Sequence, residues 1–174
     1  MPAVRAWRAP VAIALAVIAL DQLTKHWAVT SLGTDREIDL FWTLRLNLAF
    51  NNGMAFGQGQ GFGPVIAVIA TVVIVYLLVS LQTEASTMGT IGVGLLIGGA
   101  AGNLIDRLFR GDEGFLQGGV VDFIDLQWFP IFNLADVAIN VGAALLILNS
   151  VLAARNHRPE DSVEPVADDA GSPT

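Results

Sequence analysis

The chain has 174 residues, 53% hydrophobic and only 14% charged, with a mean hydropathy of +0.60; a soluble domain carries about 25% charged residues, so this composition suits a protein dissolved in lipid. The net charge of −7 does not describe the whole surface, because Glu160, Asp161, Glu164, Asp168 and Asp169 crowd the last fifteen residues without a base among them, and no basic cluster points to nucleic acid. The absence of cysteine excludes disulfides, thiolate nucleophiles and cysteine-based zinc sites, and the separated His26 and His157, with no HExxH stretch, give no zinc-peptidase pattern.

Along the chain, Arg5 and Arg8 followed by the apolar Val11–Leu20 have the look of a secretory leader. No A-x-A-like cleavage site follows closely, so the segment is read as a first membrane span at about 9–32, with Asp21 and Lys25 in its last turns. A spanning helix needs about 20 mainly apolar residues. The stretch Gly33–Gly63 contains "REIDLFWTLRLNLAFNNGMAFG", whose partial alternation and aromatics predict short strands at the outer membrane interface. "FGQGQGFG" then reads as a glycine-rich turn. Further spans are expected at about 64–81, 88–106 and 131–154. The third has glycines at 89, 92, 94, 98, 99 and 102, spacings that let helices approach closely in lipid. Residues 155–174 read as a disordered acidic tail. The fold class is thus an all-α membrane protein with four transmembrane helices and a small β-containing segment at the outer interface, residues 1–154 forming one unit.

Lys and Arg counts tie between the two sides: Arg5, Arg8, Arg155 and Arg158 against Arg36, Arg45, Arg107 and Arg110. The first span usually dominates, and its N-terminal flank is purely basic. Both termini are therefore expected in the cytoplasm.

Ionisable side chains inside spans are costly and usually functional, and with this orientation they gather near the outer leaflet. Asp21 and Lys25 lie i, i+4 on span one. Asn103 and Arg107 lie i, i+4 near the end of span three. Asn133, Asp136 and Asn140 share a face near the start of span four, and Asp122 sits in the connection before it. Plainer roles stand beside the functional ones. Asp21 and Lys25 can simply pair, Arg107 can snorkel to headgroups, and Asn133 can be a helix cap. Asp125 reads as a solvated loop residue and Asp106 as a helix-end charge. Asp136 has no cation in its own segment before Arg155.

Without thiol, metal cluster or GxSxG, the hydrolytic chemistry left is a carboxylate pair. Two nearby carboxylates hold one proton between them; the ionised member activates water while the protonated one polarises a carbonyl. Asp122 and Asp136 are that pair. A proton-coupled transporter using the same carboxylates is the alternative, although the two halves of the chain share no repeat motif. A membrane scaffold would leave the converging polar residues unexplained, and no GxGD motif marks another intramembrane protease type.

"DQLTKHW" (21–27), "NNGMAFG" (51–57), "GGAAGNLIDR" (98–107), "GGVVDFID" (118–125) and "FNLADVAIN" (132–140) follow one another over about 120 residues. In these five stretches the chain resembles the lipoprotein signal peptidase family, the bacterial signal peptidases II. The resemblance implies a four-span aspartic endopeptidase of the bacterial inner membrane. Such an enzyme removes the signal peptide from prolipoproteins just before a diacylglyceryl-modified cysteine, with its site toward the outer face. It implies Asp122 and Asp136 as the catalytic pair, supported by Asp21, Lys25, Asn51, Gly53, Asn103, Arg107, Asn133 and Ala135. Phe56 would pack on the substrate, and Asn140 lies on the face of Asp136. The expected partners are lipid-modified prolipoproteins and membrane lipid; no metal, organic cofactor or oligomer is called for. Met54, Val137 and a longer segment before Asp122 depart from the family's usual pattern.

Overall fold

The structure is a computed structural model that describes residues 7–33, 36–53, 62–80, 86–111 and 116–156. The first helix, α1 (Arg8–Leu32), buries Pro10, Ala14, Asp21, Lys25, Ala28 and Leu32. These recur at three-, four- and seven-residue steps and so form one stripe. Leu15, Leu20 and Leu23 on its other faces are exposed. Outside water there is no hydrophobic penalty for such exposure, and the surface suits acyl chains.

Two strands follow, β1 (Ile38–Phe41) and β2 (Leu44–Asn51), where strands were expected. The second helix, α2 (Gly63–Ser80), is mainly apolar and carries no charged residue. The third, α3 (Thr87–Phe109), starts at Ser86, whose Oγ accepts the Gly89 N–H at 2.8 Å and donates to Asn149 at 2.7 Å. A third strand, β3 (Val120–Asp125), precedes the last helix, α4 (Leu134–Asn156). Among the described residues, three helices, α1, α3 and α4, are long and apolar enough to cross a membrane; α2 is shorter.

Helix α3 is the centre, packing on α1, α2 and α4. Its glycines make that possible. A Cβ on Gly98 would lie 2.7 Å from Val17 Cβ and 2.9 Å from the Ala14 carbonyl, so α1 and α3 touch backbone to backbone. A Cβ on Gly102 would meet the Asp21 carboxylate at 2.5 Å.

The sheet has the order β1-β2-β3, antiparallel throughout, with Arg45 opposite Asp125 and Asn51 opposite Val120. It rests on the end of α1, where Ala28 and Leu32 pack with Val121 and Phe123. Three expectations change here. Asp122 lies within a strand and not in a loose connection, because β2 supplies pairing partners some seventy residues away. Helix α3 runs on to Phe109, past the expected end at 106, because Asp106 and Arg107 are both buried and hydrogen-bonded. Helix α4 continues to Asn156, two residues past the expected end of the span. The glycine-rich turn and the acidic tail fall almost entirely outside the described residues.

Replacing Gly98 by Leu should cost about 1–3 kcal/mol through overpacking, read as a lowered thermal-unfolding midpoint in detergent. An unchanged midpoint would show that the α1–α3 contact yields without strain.

Candidate active site

Asp136 occupies the first turn of α4, and Asn133 is the residue immediately before that helix. The two form a reciprocal cap: Asn133 Oδ1 accepts the Asp136 N–H at 3.0 Å, and Asp136 Oδ2 accepts the Asn133 N–H at 3.2 Å. That cap settles which way the Asn133 amide faces. Its Nδ2 therefore donates to Asp122 Oδ1 at 2.6 Å. One asparagine thus bridges the two carboxylates, from β3 to α4.

Asn103 completes the arrangement from α3. Lys25 Nζ, which can only donate, gives a hydrogen bond to Asn103 Oδ1 at 2.8 Å, so Asn103 Nδ2 must face Asp136 Oδ1, at 2.8 Å. On the far side, Asn51 Nδ2 donates to Asp122 Oδ2 at 3.2 Å, and the Gly53 N–H donates to Asn51 Oδ1 at 3.1 Å. Burial, and next the Asp136 charge, push the Asp122 carboxyl up from its ordinary 3.8 to about 7, against the opposing pull of Asn133, Asn51 and Lys25.

Beneath the pair lies a fully buried charged cluster. Lys25 Nζ meets Asp21 and Asp106, each at 2.9 Å, in addition to Asn103. All three of its N–H bonds therefore have an acceptor. Each anion then uses another contact to grip a backbone N–H. Asp21 Oδ1 accepts from Ala135 at 3.0 Å, and Asp106 Oδ2 accepts from Val121 at 3.1 Å. Ala135 and Val121 are the residues immediately preceding Asp136 and Asp122. The cluster thus holds both carboxylate-bearing segments from behind. Gln22 Nε2 ties the same group to the Gly102 carbonyl at 3.1 Å, and Arg110 Nε donates to Asp106 at 2.6 Å.

Both carboxylates open onto a cavity of about 780 Å³, with Asn51, Gly53, Asn103, Arg107 and Asn140 on its polar side. Apolar side chains of α2 (Ile66, Ile69, Val73) and α4 (Val137, Val141) line the rest. Arg107 is 7% exposed, donates to the Asn103 carbonyl at 3.3 Å and leaves its Nε without a partner. It hydrogen-bonds neither carboxylate, and its guanidinium acts on Asp122 and Asp136 through its charge. Asn140 donates to the Asp136 backbone carbonyl at 2.8 Å, so it belongs to the helix wall. Phe56 lies outside the described residues.

Two acids were misjudged from sequence. Asp106 is no helix-end charge but a fully buried partner of Lys25, Arg110 and Val121. Asp125 is not solvated. It is 4% exposed and bonded by Arg45 Nε at 2.7 Å, the Gln127 N–H at 2.6 Å and Asn47 at 3.4 Å. Burial works to raise its carboxyl, yet Arg45, Gln127 and Asn47 outweigh it and hold it below the usual range. Gln22 was overlooked, though its place beside Asp21 was the available signal.

A family profile described as signal peptidase (SPase) II matches residues 13–152. Among curated proteins, the chain is similar to a lipoprotein signal peptidase of Shouchella clausii (strain KSM-K16), 41% identical over 150 residues that cover 84% of this chain and 95% of that one. It is also similar to a lipoprotein signal peptidase of Mycobacterium leprae (strain Br4923), 37% identical over 148 residues covering 84% and 73% of the two chains. Among solved structures, a bacterial membrane enzyme determined by the in meso method at 2.3 Å resolution superposes with a TM-score of 0.76 at 28% identity, covering 87% of this chain and 93% of that one.

Lys25→Met should leave Asp21 buried without its cation and Asp106 with Arg110 alone, a change worth roughly 3–5 kcal/mol. Thermal unfolding in detergent checks this, and a stability equal to that of the wild type would mean that Asp21 and Asp106 are held by other means.

Proposed function

The chain belongs to the signal peptidase II family and is a membrane protease that removes signal peptides from prolipoproteins, and we propose that it does so with Asp122 and Asp136 as a carboxylate pair that activates water. The observation that carries this reading is Asn133, whose side-chain amide donates to Asp122 and whose backbone N–H donates to Asp136, at the polar end of an otherwise apolar cavity. The transporter reading falls away with the family assignment.

In the proposed mechanism the pair carries one proton. The upward push on Asp122 supports it as the protonated member at rest, leaving Asp136 to take a proton from water. Two donors and the positive end of the α4 dipole suit Asp136 to that charge. The resulting hydroxide attacks the scissile carbonyl while Asp122 donates a hydrogen bond to its oxygen. Collapse of the tetrahedral intermediate then returns a proton to the leaving amine. Asn51, Asn103 and Asn133 keep both carboxylates aimed, and Asp21, Lys25 and the Ala135 N–H hold the segment start behind them.

Substrate would enter sideways from the bilayer between α2 and α4. Helix α2 packs chiefly on α3, and the apolar cavity wall is shared between α2 and α4. A diacylglyceryl-cysteine could leave its acyl chains there while the peptide reaches the pair, with cleavage on the N-terminal side of that cysteine. Phe56 and the rest of the segment 33–63 would close over the peptide. We read α2 as a fourth span. Its eighteen residues extend about 27 Å at ~1.5 Å per residue, against a hydrocarbon core of about 30 Å. Residues 1–154 would then form one membrane unit, both termini and the acidic tail 155–174 cytoplasmic, the site near the outer face of the inner membrane. No second copy is needed to complete it.

Cleavage of a diacylglyceryl-modified prolipoprotein by protein purified in detergent tests the pair. Asp122→Asn and Asp136→Asn should each lose at least 10²–10⁴-fold in turnover, about the worth of general acid–base catalysis, while unfolding normally. Near-normal turnover in either variant would refute the dyad. The same assay over pH has a definite sign. Since Asp122 must keep its proton, kcat/KM should fall as pH rises through about 7. A rate still climbing well above that pH would overturn the assignment of Asp122 as the acid.

A further inference from the structure

Four large aromatics stand out from one end of the sheet. Phe41 is 78% exposed and Trp42 90%, at the turn joining β1 to β2; Trp128 is 71% exposed and Phe129 51%, at the turn after β3. Soluble surfaces do not keep such side chains together without a partner. The two turns are fastened to each other: Gln127 Nε2 donates to the Thr43 carbonyl at 3.1 Å, and Asp125 holds both the Gln127 N–H and Arg45. Trp42 and Gln127 adopt positive φ angles of 51° and 67°. For side chains of this size that backbone is strained and persists only where the surroundings enforce it. The aromatics are therefore displayed on a built support.

Three further observations identify what they face. Trp128 lies six residues before the first residue of α4, so this turn sits close to the level at which that helix enters lipid. Trp128 packs edge-on against Phe129 at 5.9 Å, and Phe129 against Phe132 at 6.0 Å, both phenylalanines lining the apolar cavity between α2 and α4. The aromatic surface thus continues the lipid-facing one. The runs Leu40–Leu44 and Gln127–Phe132 also contain no charged residue. Tryptophan favours the headgroup boundary, where its ring is apolar and its N–H finds water.

We propose that Phe41, Trp42, Trp128 and Phe129 form an aromatic ledge seated in the headgroup–acyl boundary of the leaflet in which α4 begins. The ledge sets the depth of β3, and hence the height of Asp122 relative to the bilayer surface. Its occupant is the lipid surface. The inference rests on the membrane character of the protein and not on the assignment of the carboxylate pair.

The test uses the full chain with Trp42 as sole tryptophan (Trp7→Phe, Trp27→Phe, Trp128→Phe), reconstituted in phosphatidylcholine–phosphatidylglycerol vesicles. Lipids brominated near the headgroup end of the acyl chain should quench Trp42 more than lipids brominated at mid-chain, and aqueous acrylamide should quench it weakly. Free quenching by acrylamide with no response to bromolipid would overturn the ledge and leave a protein partner as the occupant. In an otherwise native chain, Trp128→Ser should lower cleavage of lipidated substrate several-fold in vesicles and leave it unchanged in detergent. An equal loss in both media would show a purely structural role and overturn the proposal. The quenching needs no catalysis, so failure of the dyad assignment would leave it readable.

Discussion

The ammonium of Lys25 is the interaction on which the rest of the molecule depends. Taking a cation out of water costs several kcal/mol, and here Asp21, Asp106 and Asn103 each accept a hydrogen bond from one of its three N–H groups. That demand fixes where α1 and α3 stand. It also reaches further, because the two anions also accept the N–H groups of Ala135 and Val121. A charge balance in the core is thereby converted into the placement of two backbone segments, each carrying a candidate catalytic carboxylate as its next residue. Glycine at 102 keeps the arrangement possible, since a methyl group there would collide with Asp21.

Much of this was legible in the chain, and for a simple reason. Inside an apolar helix, polar residues at i, i+3, i+4 and i+7 can only lie on one face, so Asp21 with Lys25, Asn103 with Arg107 and Asn133 with Asp136 announce their own alignment. The directions of successive helices then bring the groups to one level. What stayed hidden depends on distant pairing. The strand Val120–Asp125 exists because β2 lies beside it, and nothing local distinguishes it from a loop. Asp125 looked solvated because Arg45 and Asn47, its partners, are some eighty residues upstream. Asp106 looked like a terminal charge because its cation sits on another helix.

The helices are unequal in how firmly they are bound in. Helices α1, α3 and α4 share glycine-lined contacts and the buried cluster, whereas α2 has neither a buried charge nor a glycine seam of its own and leans chiefly on α3. The firmly packed helices hold the two candidate carboxylates, and the less firmly packed α2 forms part of the apolar side of their cavity.

Catalytic centres are often held at a cost to the fold, with strained or unpaired groups that relax when the chemistry is removed. The amide of Asn133 reverses that relation. The amide oxygen begins α4 and the amide nitrogen holds Asp122, while the backbone N–H of the same residue holds Asp136, so the residue that starts the helix also aims the candidate pair. A trade-off between stability and activity has no room to develop at this position: a protein evolving toward a firmer α4 keeps the geometry of the site without separate selection for it.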